Sequence, residues 1–331
     1  MGIHRSRSCE TATVYGMNDP ESSSIWHLVG NGAIGSALAS RLAGEGESVH
    51  LAGRDSGSNT LTLTYEEPHC STKTIQCPAS IEPHSPVERL VIATKAFSVA
   101  EALSVWAPAL TPNSRVYFLQ NGLGFIPEGV LPADVYSLTV VNSGFAAYLK
   151  SPGHVVQTAM GRFWVGDESG SPTPPSEDIA EDLRILHAAN FLCDWTPDIA
   201  KHRWLKICTN AVINAQTVLF DCPNGELSTR PEAIELTSSM CDEFGAAFRA
   251  MGIDITAEDI RTSTQHVIEL TAENLSSMLQ DYRHGRRANE LAFINGTIIE
   301  AARSSGISMP VNADVYHRAE ERFESLNHRG G

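Results

Sequence analysis

Three polar residues on an apolar run have the types and spacing to do chemistry. The segment Trp204-Leu205-Lys206-Ile207-Cys208-Thr209-Asn210-Ala211-Val212-Ile213-Asn214 carries Lys206, Asn210 and Asn214 at i, i+4 and i+8. On a helix of about 3.6 residues per turn each lies about 40° round from the last, so all three share one stripe. An ammonium and two amides on an otherwise apolar helix predict the wall of a cleft. There the amine would protonate a carbonyl oxygen that is gaining negative charge, and the amides would hold carbonyl, hydroxyl or carboxylate groups. A lone helix lysine is ordinarily solvated or snorkelling. The shared spacing with both asparagines is what points to a site.

A second constellation is Gly30-Asn31-Gly32-Ala33-Ile34-Gly35, a G-x-G-x-x-G run directly after an apolar stretch at residues 25–29. The first glycine permits a tight turn, the second lets backbone approach a pyrophosphate, and the third lets helix and strand pack closely. The phosphates would sit on the helix N-terminus. A glycine-rich turn without ligand is the alternative, but the flanking strand, helix and second strand predict dinucleotide binding. At the end of the second strand the chain reads Leu51-Ala52-Gly53-Arg54-Asp55. An arginine where an acid would meet a ribose 2′-hydroxyl suits a 2′-phosphate, which favours NADP(H) over NAD(H), with Asp55 next door as the opposing signal.

The elements that must hold these groups follow from the hydrophobic pattern. Residues 25–29 predict a strand, 30–35 a turn, 36–44 a helix and 48–52 a second strand, which makes a βαβ unit. Further strands are expected at 90–93, 116–119 and 135–141, and a hairpin or edge pair between 155 and 165, before an exposed loop at 166–175. The alternation predicts a mostly parallel sheet covered by helices. Beyond the loop the strand signals largely stop, and 201–220, 233–251, 257–281 and 289–304 predict helices. The expected division is a polar, disordered leader at 1–24, a dinucleotide-binding domain at 25–199 and a helical domain at 200–331.

Composition narrows the partners. Against 24 lysines and arginines stand 39 aspartates and glutamates, a formal charge of -15. That balance disfavours nucleic acid and anionic membrane surfaces and leaves a small ligand in a locally basic cleft. No stretch approaches the roughly 20 apolar residues of a membrane span. The seven cysteines (Cys9, Cys70, Cys77, Cys193, Cys208, Cys222 and Cys241) are scattered, with no metal spacing, and predict free thiols, a cytoplasmic protein and no metal.

Several further runs carry a resemblance. Cys222-Pro223-Asn224-Gly225-Glu226-Leu227, Thr271-Ala272-Glu273-Asn274-Leu275-Ser276-Ser277-Met278-Leu279-Gln280-Asp281 and the K-x-x-x-N-x-x-x-N helix resemble signature segments of ketopantoate reductases. Thr94-Lys95-Ala96, Gln120-Asn121-Gly122-Leu123-Gly124 and Glu290 followed by Ile294-Asn295-Gly296 extend the match, in order, over nearly the whole chain. The resemblance implies an α/β fold, a Rossmann domain followed by an all-helical domain of the 6-phosphogluconate-dehydrogenase-like kind. It implies NADPH-dependent reduction of ketopantoate to pantoate for pantothenate and coenzyme A synthesis; the chain is expected to act as a monomer or homodimer.

By the same resemblance Lys206 falls on the general acid, and Asn210, Asn214, Asn224 and Ser277 on substrate-binding positions. Asn121 lies between cofactor and substrate, and Lys95, Ala147 and Glu290 fall on positions that contact the cofactor or order the site. Physically, Ser277 can bond a carboxylate, while Glu290 can hold Lys206 charged or bond a ribose. Plainer roles also exist: Ser277 as a surface hydroxyl, Glu290 as a solvated acid in the first turn of its helix, Asn224 as a turn former before Gly225. The chain departs from the family where Ala215 and Gln216 follow Asn214 in place of the usual proline, and in a connection to Glu290 that is one residue longer. Two rivals stand beside ketopantoate reduction: reduction of another small branched 2-keto acid, and a non-catalytic NADPH-binding sensor.

Overall fold

The glycine run joins a buried strand to a buried helix in a computed structural model that describes residues 12–14, 25–53, 59–67, 72–79, 82–83, 86–168 and 175–328. In chain order the strands are β1 (Ala12–Val14), β2 (Trp26–Val29), β3 (Val49–Ala52), β4 (Thr60–Glu66), β5 (Thr72–Pro78) and β6 (Val87–Ile92). They continue with β7 (Leu110–Phe118), β8 (Tyr136–Ser143), β9 (Ala146–Ser151), β10 (His154–Ala159), β11 (Arg162–Gly166) and β12 (Leu192–Trp195). The α-helices are α1 (Ala33–Gly44), α2 (Val99–Trp106), α3 (Glu177–Ala188), α4 (Ile199–Phe220), α5 (Pro231–Met251), α6 (Ala257–Leu270), α7 (Ser277–Arg283), α8 (Thr297–Ser304) and α9 (Pro310–Glu324).

The chain divides into two compact units. One contains residues up to Thr94, Ser98–Gln120 and Pro127–Ile199; the other contains Lys95–Phe97, Asn121–Ile126 and everything from Ala200 onward. The sequence places the two short segments, 95–97 and 121–126, in the first domain by continuity. Their packing puts them in the second unit.

In the first unit a seven-stranded sheet runs β12-β11-β8-β7-β6-β2-β3, and a five-stranded sheet runs β1-β5-β4-β10-β9. Every neighbouring pair from β3 to β8 is parallel, and the βαβ alternation produces that arrangement. Helix α1 packs on strands of both sheets, which explains why Gly35–Ala43 are all buried and small residues dominate it. Its buried Arg41 is satisfied by Tyr65 Oη (2.7 Å), Gln157 Oε1 (2.6 Å) and the Asn190 carbonyl (2.6 Å). Asp182, fully buried on α3, accepts from Arg89 Nε (2.6 Å), Arg115 Nε (2.6 Å) and Tyr117 Oη (2.7 Å).

The second unit is helical around a core of Ile207, Ala211, Val212, Met240, Phe244, Phe248 and neighbours. Pro231 at the first turn and left-handed Gly252 at the end bound α5, and a reciprocal Thr256–Asp259 capping box starts α6.

Several sequence expectations change here. Helix α1 begins at Ala33, not at residue 36. The stretch 155–165 is not a hairpin: β10 pairs with β9 and β4, whereas β11 pairs with β8 and β12 in the other sheet. The chain crosses between sheets where Gly161 packs on the Gly144–Phe145 backbone, leaving no room for a side chain. Strand β12 follows the loop after which strands were expected largely to stop. The helix expected over 257–281 breaks at 271–276, because Thr271 and Ser276 bond local backbone and side chains there. The helix expected over 289–304 opens with a π segment, Ala292–Gly296. Within the leader, Ala12–Val14 pairs parallel to β5 at the edge of the five-stranded sheet. The rest of the leader, Arg54, Asp55, Cys9, Cys70 and most of the 166–175 loop lie outside the described residues. The five described cysteines, Cys77, Cys193, Cys208, Cys222 and Cys241, are free and buried.

Candidate active site

The glycine turn of the first unit is built as a cradle. Gly30 has φ +116°, and a Cβ on it would lie 2.8 Å from the Ala93 carbonyl carbon and the Thr94 nitrogen. A Cβ on Gly35 would run into the Gly30 carbonyl. Only glycine allows the strand to turn there and the helix to start against it. Gly32 differs: it is exposed, with nothing within 4 Å of where its Cβ would be. It is also the N-cap of α1 and offers no side chain to the first helical N–H groups, which are therefore available to an anion. Asn31 packs beside Gly53, and its carbonyl accepts from Ser36 Oγ (3.1 Å). Ala33 and Ile34 form the first turn of α1, Ile34 resting on the core.

Gln120 spans the neighbouring strand ends, donating to the carbonyls of Ile92 (2.8 Å) and Thr94 (3.0 Å). The Gln120 Oε1 and Thr94 Oγ1 atoms are buried without a hydrogen bond among the described residues. An open backbone turn with orphaned polar atoms at the strand ends fits a dinucleotide pyrophosphate. Ala147 sits on β9 opposite Gln157 and adds only half-buried apolar surface to this unit's core.

The second unit gathers the other candidates. On α4 the face carrying Ile207, Cys208, Ala211, Val212, Ala215 and Val218 enters the core. Lys206 and Asn210 are half-buried on the stripe beside it, and Asn214 is buried. The helix runs on through Ala215 and Gln216 to Phe220, since no proline interrupts it. Among the described residues no hydrogen bond or ion pair ties the Lys206 amine or the two asparagine side chains. Loss of water around Lys206 pulls its pKa from 10.5 down to about 8, with the charge of Glu290 opposing the fall.

Glu290, 7% exposed, accepts from the Ala96 backbone N–H at Oε1 (3.3 Å) and from Lys95 Nζ at Oε2 (3.4 Å). Lys95 also donates to Asp281 Oδ2 (2.9 Å), whose other oxygen accepts from Arg286 Nη1 (2.7 Å). Both carboxylates hold the Lys95 proton more tightly than usual, outweighing its burial.

Asn121 belongs to a loop clamped on this unit. Gly122, at φ +97°, lies so close to the Phe293 carbonyl that no side chain would fit. The Leu123 N–H donates to that carbonyl (2.9 Å), and Arg203 Nη2 donates to the Gly122 carbonyl (3.0 Å) while stacking on Phe125. The wide π turn displaces the Phe293 carbonyl from the regular helical ladder, which lets it hold the loop. Asn224 donates to Thr271 Oγ1 (2.8 Å), and the backbone of 224–225 pairs with the 272–274 carbonyls. The Oδ1 atoms of Asn121 and Asn224 are buried with no hydrogen-bond donor among the described residues. Acceptors left in that state suit a hydroxyl or an ammonium donor.

Ser277 is the exposed first residue of α7, whereas Ser276 is buried, caps α7 at the Leu279 N–H (3.1 Å) and meets Thr217 Oγ1 on α4 (2.7 Å). Asp281, Arg203 and the Phe293 carbonyl were given no role from sequence. Asp281 lay inside the Ser-Ser-Met-Leu-Gln-Asp signature, which was its available signal, whereas Arg203 and a backbone carbonyl carry none that spacing reveals.

Comparison with known proteins decides the family. Residues 26–170 match the model described as ketopantoate reductase PanE/ApbA, and residues 198–322 match ketopantoate reductase PanE/ApbA C terminal. The 2-dehydropantoate 2-reductase of Vibrio cholerae is 30% identical over 306 residues, covering 90% of this chain and 97% of that relative. The protein of the same name from Yersinia pestis is 31% identical over 245 residues, 72% of this chain and 76% of that relative. This chain belongs to the ketopantoate reductase family. It is an oxidoreductase by that membership.

Solved structures agree on the fold. A PanE/ApbA family ketopantoate reductase from Ralstonia eutropha superposes with a TM-score of 0.80 at 22% identity, over 92% of this chain and all of its own. D-mandelate dehydrogenase, solved with NADH and anilino(oxo)acetate, gives 0.80 at 20% identity over 92% of this chain and 99% of its own. At these identities the ketopantoate reductase fold alone is what the likeness shows. No described helix is long and apolar enough to cross a membrane, and no described group of His, Cys, Asp and Glu could hold a metal ion.

Proposed function

We propose that this protein is a 2-dehydropantoate 2-reductase, an enzyme that reduces ketopantoate to pantoate with NADPH and so feeds pantothenate and coenzyme A synthesis. The observation that carries the reading is Lys206: a half-buried amine on the α4 stripe with Asn210 and Asn214, without an ion pair among the described residues, holding its proton near the physiological range.

Reduced nicotinamide, when bound, supplies the hydride to the carbonyl carbon. The Gly30–Gly35 turn, with Asn31, Ala33 and Ile34, would hold the pyrophosphate through backbone N–H groups. Arg54 would meet a 2′-phosphate, and Lys95, Asn121 and Glu290 the ribose and nicotinamide side, with Ala147 as a further contact carried by resemblance. Lys206 Nζ donates a proton to the ketone oxygen as charge develops on it, which completes the alcohol. Asn210, Asn214, Asn224 and Ser277 orient the keto acid by hydrogen bonds to its oxygens. A proton held near pH 8 is retained at pH 7 yet released readily, the compromise a general acid needs.

The test is loss of nicotinamide absorbance with NADPH and ketopantoate, run beside NADH, 2-ketoisovalerate and a Lys206→Ala variant. Fast NADPH-dependent turnover of ketopantoate, lost in the variant, is expected. Preference for another 2-keto acid would reassign the substrate, since the fold itself is shared with a mandelate dehydrogenase. Tight NADPH binding with no turnover of any keto acid would turn the reading to a sensor.

A further inference from the structure

One carboxylate of the second unit binds one lysine and exerts its charge on another. Glu290 is the charged group that acts on the Lys206 amine, and it also accepts from Lys95. Its hold on Lys95 is the looser one, at 3.4 Å against 2.9 Å to Asp281. The Asp281 carboxylate is engaged at both oxygens, the second accepting from Arg286 at 2.7 Å, and its side chain is 9% exposed. Lys95 therefore bridges two buried carboxylates and lies closer to Asp281 than to Glu290. How much of the Glu290 charge reaches Lys206 depends on where Lys95 is held.

We propose that Asp281 is a positioning residue: with Arg286 it anchors the Lys95 ammonium beside, and not upon, Glu290, and so sets the charge that Lys206 faces. The inference rests on Lys206 being the proton donor. Among the described residues the ionisable groups acting on Lys95 are Glu290 and Asp281, and the one acting on Lys206 is Glu290. Without the anchor, Lys95 retains a single partner and closes on Glu290. The field that favours the charged form of Lys206 then weakens, and its proton is released at lower pH. Without Lys95, the Glu290 charge is uncompensated and the proton is held to higher pH.

Two measurements test this on the full-length protein. The first is trace acetylation of Lys95 by acetic anhydride across pH, read by mass spectrometry without substrate or cofactor. Asp281→Asn should lower the Lys95 titration midpoint by about half to one pH unit, the size expected for one lost carboxylate partner. The second is the alkaline limb of kcat for keto acid reduction. Asp281→Asn should move it to lower pH, Lys95→Gln to higher pH, and the double variant should follow Lys95→Gln, because Asp281 acts through Lys95. Arg286→Gln, at an exposed residue, should shift the limb in the direction of Asp281→Asn by less, and serves if that variant does not fold.

Unchanged Lys95 labelling in Asp281→Asn overturns the anchor. Changed labelling with an unmoved limb, or additive shifts in the double variant, overturns its link to Lys206. A limb that survives in Lys206→Ala removes the proton-donor reading instead, and with it the catalytic half of the proposal, while labelling still decides the anchor.

Discussion

Two charged groups withdrawn from water, one fully and one in part, are treated in opposite ways in this molecule. In the first unit Asp182 is fully buried and saturated: one oxygen accepts from Arg89, the other from Arg115 and Tyr117, and Arg89 stacks on Trp26 at 5.0 Å. In the second unit Lys206 has neighbours that strip its water, yet no ion pair among the described residues returns what it loses. The saturated cluster ties α3 to β6 and β7 and leaves no capacity for a ligand. The unsaturated amine keeps its donor capacity for something that is not protein. In this pair the satisfied group serves architecture, and the unmet one is the candidate for chemistry.

Breaking the unsaturated side should have the largest effect. Lys206→Ala is expected to lower kcat by about 10²–10⁴, the usual worth of a positioned general acid, with folding intact by circular dichroism. Breaking the saturated side should act on stability instead. Asp182→Ala removes the buried carboxylate that Arg89, Arg115 and Tyr117 meet in the core and should cost about 3–5 kcal/mol in urea denaturation. Activity per folded molecule should be unchanged.

The comparison sharpens with Lys206→Met, which removes the charge but keeps the bulk. It should be inactive yet more stable than wild type by about 0.5–2 kcal/mol. The sign follows from linkage. Because the folded pKa, about 8, lies below the unfolded value of 10.5, the unfolded chain binds this proton more tightly. The group therefore opposes folding in full below about pH 8, and the penalty fades as pH rises toward 10.5. The gain from Lys206→Met should be larger at pH 7 than at pH 10.

The smallest pair contrasts two adjacent serines. Ser276→Ala removes the α7 cap and its bond to Thr217 and should cost about 1 kcal/mol of stability. Ser277→Ala, at an exposed first-turn position, should leave stability within about 0.5 kcal/mol and raise KM for the keto acid. A stability loss at Ser277 with none at Ser276 would reverse their assignments.

Much of this was legible in sequence because the signals were periodic or stereochemical. The βαβ start was readable from Gly30, Gly32 and Gly35, since only glycine fits at the first and the third. The stripe of Lys206, Asn210 and Asn214 was readable from helical spacing. The five-stranded sheet was missed, although Thr60-Leu61-Thr62-Leu63-Thr64-Tyr65 alternates as a half-buried strand should. The π segment, Ala292–Gly296, was invisible because no composition or spacing rule separates a π turn from an α-helical one. Glu290 had a position but no definite partner in sequence, since the partners that fix it, Lys95 and the Ala96 N–H, are about 195 residues away along the chain.

The most direct test of the central claim is the pH dependence of kcat for ketopantoate reduction in wild type and Lys206→Ala. If Lys206 is the proton donor, wild-type kcat falls as pH rises through about 8, and oxidation of pantoate rises over the same range. Both limbs should be absent from the residual activity of the variant. A limb near pH 8 that persists without Lys206 would contradict the account and assign the proton to another group.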